Sequence, residues 1–88
     1  HRIGLVHEVV TADALDAKVA ELTQALVNAS PHAVRACKKL VQDVAEREIN
    51  DALVAQTVAG IADIRASSEG KEGVQSFLQK RKPSWLLA

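Results

Sequence analysis

The sequence predicts a mainly α-helical fold, with one short N-terminal strand-like segment followed by about four helices. Apolar residues recur at steps of three and four in four separate stretches, which is the spacing of one helix face. Only the first ten residues contain a β-branched-rich run that is typical of a strand. The chain has 88 residues, of which 48% are hydrophobic but only 2% aromatic. This composition indicates one small domain packed from small aliphatic side chains.

The strand-like segment reads "IGLVHEVV" over residues 3–10. No second strand pattern follows it, and a lone strand leaves its backbone donors and acceptors without partners. We therefore expect residues 1–10 to be the remnant of a larger core and the chain to be the C-terminal piece of a longer protein. The alternative is a strand that pairs with its own copy in a dimer.

The first two helices are predicted over residues 12–28 and from Pro31 onward. Thr11 or Asp13 is the expected cap of the first helix, whose apolar stripe consists of Leu15, Val19, Leu22 and Leu26. The second helix begins at "SP", a capping hydroxyl followed by a proline at the first helical position. On its apolar face lies Cys37, which we expect to be a small buried hydrophobe rather than a reactive thiol.

The last two helices are predicted over residues 51–66 and 69–81. Asn50 is the expected cap of the third helix, and the fourth should end before Pro83 because a residue that precedes proline disfavours the helical conformation. The tail "SWLLA" is apolar, so we expect it to dock on another surface rather than face water.

Several classes of function find little support in the sequence. The 11 basic and 11 acidic residues balance, which argues against a general polyanion-binding module. No glycine-rich phosphate loop, metal-ligand cluster or nucleophile–base pair is visible, so no catalytic or metal-binding residue is predicted. No apolar run reaches the ~18 residues that span a bilayer. A single cysteine excludes an internal disulfide and favours a reducing, cytoplasmic location.

A basic cluster, Lys80–Lys82, lies at the predicted end of the fourth helix. Cations at this end complement the helix dipole, which is one explanation of the cluster. A second explanation is a phosphate site, in which lysine supplies a point charge and arginine a fork of donors. Nucleic-acid binding is a third, which the balanced net charge makes weaker.

Three stretches together resemble the enoyl-CoA hydratase/isomerase (crotonase) family. "GLVHEVV" is similar to the family's G-L-V-x-x-V-V segment, and "PHAVRACKKL" to its P-x-A-x-x-A-x-K-x-L helix. "EGVQSFLQKRKPSW" resembles the terminal E-G-x-x-A-F-x-x-K-R-x-P-x-W, with Ser76 where the family usually has alanine. The order and spacing of all three fit, and the closest branch resembles bacterial methylglutaconyl-CoA hydratases.

The resemblance implies a division of the chain at residue 10. Residues 1–10 would end the family's spiral core, and residues 11–88 would form its C-terminal helical oligomerisation domain. It implies a homo-oligomer, a trimer or hexamer, with a CoA thioester at a subunit interface. Lys80 would approach the CoA phosphates and Ile61 the adenine side. The acyl-CoA is the substrate, and no further cofactor is required.

The function implied is that of a trimerisation and CoA-rim domain in an enzyme that adds water to a 2-enoyl-CoA by syn addition. The two glutamates that hydratases use would precede His1, so the chain by itself is expected to be inactive. The alternative is a self-contained helical module that binds another protein without an enzymatic role. Neither hypothesis calls for nucleic acid or a membrane as a partner.

Overall fold

The structure, a computed structural model, describes residues 1–87. Within this range the chain forms four α-helices: α1 (Leu15–Asn28), α2 (Pro31–Val44), α3 (Asp51–Ala66) and α4 (Ser68–Leu78). Short 3-10 helices precede α1 at Ala12–Ala14 and follow α4 at Ser84–Leu86. The mainly α-helical class is therefore confirmed.

The predicted strand is wrong: none of the residues that the structure describes forms a strand. The chain instead turns at its start, where the Gly4 amide donates to the His1 carbonyl at 3.0 Å and Gly4 adopts a φ of 82°. Ile3 and Leu5 are both more than 80% exposed. The physical reason is that a strand needs a neighbour to accept its backbone hydrogen bonds, and the helices offer none.

Polar side chains cap the starts of α2, α3 and α4. The Ser30 hydroxyl accepts from the Ala33 amide at 3.1 Å, and the Asn50 side chain accepts from the Leu53 amide at 2.9 Å. Both of these caps were predicted, and both satisfy amides that have no partner within the helix. The prediction of a Thr11 or Asp13 cap on α1 is wrong, because a 3-10 turn precedes that helix and makes no side-chain cap bond.

Helices α2, α3 and α4 pack on one another, whereas the contacts of α1 are mainly with the 3-10 turn that leads directly into it. A single residue, Ser67, separates α3 from α4: its hydroxyl donates to the Ile64 carbonyl at 2.6 Å and accepts from the Gly70 amide at 3.0 Å. At Gly70 a Cβ would lie 2.1 Å from the Ile64 carbonyl oxygen. The sharp corner between α3 and α4 therefore requires glycine at this position.

The chain buries very little of itself. Among residues 1–87, Leu53 is the one buried hydrophobic side chain, and Ser76 is the one buried polar residue. The accessible surface is 7498 Å², against about 5,000 Å² for a compact protein of this mass. The radius of gyration is 16.9 Å, against about 12 Å for a compact domain of this length. These helices form a flat, open layer measuring 46 × 39 × 18 Å.

Through residue 87, no helix combines the length and the apolar character that crossing a membrane requires.

Candidate functional site

The basic cluster lies just beyond the end of α4. The Arg81 amide donates to the Ser76 carbonyl at 3.0 Å, and the Lys80 amide donates to the Phe77 carbonyl at 3.2 Å. Lys80 has a φ of 54°. This pair of bonds, with a left-handed residue between them, is the Schellman motif that often ends helices, usually with glycine at the left-handed position. Here a lysine occupies it, and its side chain is exposed.

A carboxylate from the middle of α4 holds the segment that follows the helix. Glu72 accepts two parallel hydrogen bonds from the Arg81 guanidinium, from Nη1 to Oε1 at 2.6 Å and from Nη2 to Oε2 at 3.1 Å. Its Oε1 also accepts from the Ser84 amide at 2.8 Å. The Arg81 bonds first, and the Ser84 amide next, lower the pKa of Glu72 to about 2. We refer to Glu72, Arg81 and Ser84 as the tail clamp.

All three side-chain nitrogens of Arg81 donate hydrogen bonds within the protein. Besides Glu72, its Nε donates to the Gln79 side chain at 2.7 Å, and Nη1 donates to the Lys82 carbonyl at 3.2 Å. The structure therefore does not offer Arg81 as the forked half of a phosphate site. Of the cluster, Lys80 and Lys82 are the cations without an ion pair to any residue that the structure describes.

Trp85 attaches the tail to the helices, as the sequence predicted. Its indole Nε1–H donates to the Asn28 carbonyl at the end of α1, at 3.2 Å. A Cβ at Gly73 would lie 3.5 Å from the tip of the indole ring, so the ring packs over the glycine of α4. Phe77, on the last turn of α4, is by contrast 81% exposed. Ala88, the last residue of the predicted docking tail, lies outside the described residues.

The second predicted site residue, Ile61, lies in a groove between α2 and α3. The groove encloses ≈ 410 Å³ and is lined mainly by small and aliphatic side chains. Ile61 is 72% exposed, and Lys80 is not among the lining residues. The structure thus does not bring the two predicted site residues into one cavity. Cys37 also lines the groove and is exposed, so its predicted burial is wrong for the chain on its own.

Sequence reasoning missed the role of Glu69. Its carboxylate accepts from the Ser30 hydroxyl and from the His32 amide, the latter at 2.9 Å. The Ser30 bond first, and the His32 amide next, lower the pKa of Glu69. The capping signal at Ser30 was visible in the sequence, but an acid 39 positions away gives no local signal. Glu69 and Glu72 are thus engaged in holding helix ends, an arrangement that serves structure.

No group of three or more histidine, cysteine or acidic side chains stands together as a possible metal site in the described part of the chain.

The sequence profile of the enoyl-CoA hydratase/isomerase family matches residues 1–86. The chain belongs to the enoyl-CoA hydratase/isomerase family. Among its curated relatives is the carnitinyl-CoA dehydratase of Citrobacter koseri, 31% identical over 87 residues, which cover 96% of this chain and 33% of the relative. The carnitinyl-CoA dehydratase of Salmonella typhi is 30% identical over the same shares. No solved structure matches.

The family match corrects the predicted fold class in a second respect. It covers residues 1–86, so it does not set the helices apart as a distinct C-terminal domain. The opening residues and the helices belong to one matched region. The chain spans about one third of the length of the curated enoyl-CoA hydratase/isomerase relatives that it matches.

Proposed function

We propose that this chain is the subunit-contact and CoA-rim part of an enoyl-CoA hydratase/isomerase that acts on an acyl-CoA thioester. In this proposal its helices associate with further copies in a trimer or hexamer. Lys80 binds the CoA phosphates at the edge of the contact between subunits. The reaction is the syn addition of water to a 2-enoyl-CoA, or its reverse. The substrate is the only small molecule required, and the enzyme is cytoplasmic.

The observation that carries the proposal is the exposed apolar surface. Among the described residues, the large hydrophobic side chains on the stripe of α1 are all about half exposed or more, for example Leu26 at 63%. Val58 and Ile61 on α3 are at least 60% exposed. At roughly 25 cal/mol per Å² of apolar surface, leaving such faces in water forgoes stabilisation that association recovers. Family membership over residues 1–86 favours further copies as the partner.

The CoA contact is supported by the geometry around Lys80. CoA carries phosphate groups, which lysine binds as a point charge, and Lys80 is a cation left free once the tail clamp has engaged Arg81. Ile61 offers an apolar contact to the adenine in the groove between α2 and α3. An isoleucine supplies buried area there without the stacking that an aromatic side chain would add.

The reaction class draws support from the relatives, whose name describes a dehydratase of carnitinyl-CoA. Dehydration of such a thioester is the reverse of hydrating a 2-enoyl-CoA. We assign no residue of this chain to the bond-making step, because Glu69 and Glu72 are already engaged in structural hydrogen bonds. The narrower assignment to the methylglutaconyl-CoA branch stays a prediction, and turnover of a panel of acyl-CoA thioesters tests it.

Light scattering combined with size-exclusion chromatography tests the subunit contact. We expect the chain to elute as a trimer or larger assembly. A well-folded monomer that binds no apolar dye would overturn this part of the proposal. The alternative function, a helical module for a different protein partner, is favoured by the same exposed surface and predicts no affinity for CoA. Calorimetric titration with CoA therefore separates the two functions.

Lys80→Ala tests the CoA contact in the natural enzyme that carries this chain. Because the phosphates are remote from the reacting carbon, we expect KM for the thioester to rise about 5- to 30-fold while kcat changes little, as for the loss of one partly exposed charged hydrogen bond. Lys71→Ala, at an exposed lysine within α4, is the matched control and should leave KM unchanged. An unchanged KM in Lys80→Ala would refute the contact.

A further inference from the structure

The tail clamp begins directly after Lys80, a cation without an ion pair to any described residue. Glu72 on α4 bonds to Arg81 and to the Ser84 amide, so the backbone from residue 81 to residue 84 is tied back to the helix at both ends. Lys80 directly precedes this tied segment, in the left-handed conformation at φ 54°. The segment is short, and its two anchors leave it little freedom to rearrange.

A left-handed lysine needs this kind of support. Residues with a Cβ disfavour a positive φ, which is why glycine usually occupies this position of the motif. The two backbone bonds of the Schellman motif and the clamp bonds together hold the conformation. Lysine also has a long, flexible side chain, so an anion that binds it must order it. A fixed backbone reduces the number of positions that the ammonium group explores before the ligand binds.

We propose that Glu72 and Arg81 are positioning residues, which hold the segment after α4 so that Lys80 presents its ammonium group to the phosphates of a CoA ligand. The inference rests on the proposed CoA contact of Lys80 and adds the residues that act through it. Arg81 has this role because its donors are engaged with Glu72, Gln79 and the Lys82 carbonyl. We therefore expect Arg81 to act on the ligand through the lysine beside it.

A double-mutant cycle tests the inference on the natural protein that carries this chain, with CoA as the titrant in a calorimeter. We expect Lys80→Ala to raise the Kd for CoA at least fivefold and Glu72→Gln to raise it at least threefold. Because Glu72 acts through Lys80, adding Glu72→Gln to Lys80→Ala should bring no further loss. A merely structural role would weaken binding by the same factor in both backgrounds, and that additivity would overturn the inference.

Two further variants sharpen the test. Arg81→Lys keeps the charge but lacks the fork that binds both carboxylate oxygens, so we expect it to weaken CoA binding as much as Glu72→Gln does. Full affinity in Arg81→Lys would overturn the role of the forked pair. Glu21→Gln is the matched control, because it removes a carboxylate that pairs with Lys18 on α1 at 2.8 Å. It should leave Kd unchanged.

Hydrogen exchange without ligand, followed by mass spectrometry, monitors the clamp itself. Glu72→Gln should speed exchange in peptides covering residues 79–87 while leaving α3 unchanged; unchanged exchange in both regions would overturn the clamp. Loss of protection in α3 as well would show wider unfolding in Glu72→Gln. In that case the CoA affinity of Arg81→Lys decides whether the inference holds. If Lys80→Ala leaves Kd unchanged, the proposed CoA contact fails and the inference with it. If Lys80→Ala weakens Kd but the cycle is additive, the inference alone fails.

Discussion

Lys80 combines a conformational cost with a free charge. Its φ of 54° is one that residues with a Cβ adopt at a cost of roughly 1 kcal/mol, and its ammonium has no ion-pair partner in the described part of the chain. Glycine usually occupies this position of the motif. The proposed CoA contact gives the lysine a role there, beside its favourable charge at the negative end of the helix.

We therefore expect Lys80→Gly to separate stability from binding. Glycine should raise the free energy of unfolding by about 1 kcal/mol, because it removes the cost of the positive φ. The same change should weaken CoA binding as much as Lys80→Ala does. Urea unfolding and calorimetric titration of both variants measure the two effects. A destabilised Lys80→Gly would mean that the side chain contributes packing which outweighs the backbone cost.

Ser76 stands where the family's terminal motif usually has alanine, and its surroundings show why the serine is tolerated. It is 4% exposed, and its hydroxyl donates to the Gly73 carbonyl one turn earlier, at 2.9 Å. A buried hydroxyl that finds a backbone acceptor within its own helix costs little. The serine therefore fits where alanine is usual, and the packing of α4 is retained.

At the scale of elements, the corner between α3 and α4 depends on Gly70. The first turn of α4 crosses the end of α3 so closely that a Cβ at Gly70 would collide with the backbone oxygens of Ile64 and Arg65, at 2.1 and 2.9 Å. Backbone atoms cannot rotate away as a side chain does. Ser67 completes the corner by capping α4 and bonding back to α3.

Gly70→Ala should accordingly lower the free energy of unfolding by about 1–3 kcal/mol, the range for overpacked sites. Gly60→Ala is the matched control, because Gly60 lies inside α3 with nothing within 4 Å of its missing Cβ. It should instead stabilise the helix by up to ~1 kcal/mol. Denaturant unfolding monitored by circular dichroism measures both. Equal effects of the two substitutions would contradict the close crossing.

At the scale of the whole molecule, two carboxylates join distant parts of the chain. Glu69 joins the start of α4 to the start of α2, and Glu72 joins α4 to the tail. Few buried apolar contacts hold this open layer together, since Leu53 is the one buried hydrophobic residue among residues 1–87. The hydrogen bonds of these two carboxylates therefore supply part of the connection between its elements. Such connections depend on both carboxylates remaining ionised.

The stability of the chain should therefore fall in acid. The pKa of Glu72 is lowered from an ordinary 4.5 to about 2 by the bonds from Arg81 and Ser84, and Ser30 with the His32 amide lowers that of Glu69. A carboxyl group whose pKa is lowered by folding contributes its full stabilisation above pH 4.5. That contribution is lost as the pH falls towards 2. Thermal unfolding from pH 6 to 2.5 measures the loss. The double variant Glu69→Gln with Glu72→Gln should show a weaker dependence, and an unchanged slope would contradict the assignment.

By itself the sequence determined the mainly α-helical class, the bounds of α3 and the caps at Ser30 and Asn50, because apolar spacing and capping act within a few residues. Only the tertiary structure decided the rest. It turned residues 1–10 away from the predicted strand, engaged Arg81 with Glu72, and joined Glu69 to the start of α2. These outcomes depend on which backbone groups find partners across space, and a pattern along the chain carries no information about atoms that meet from far apart.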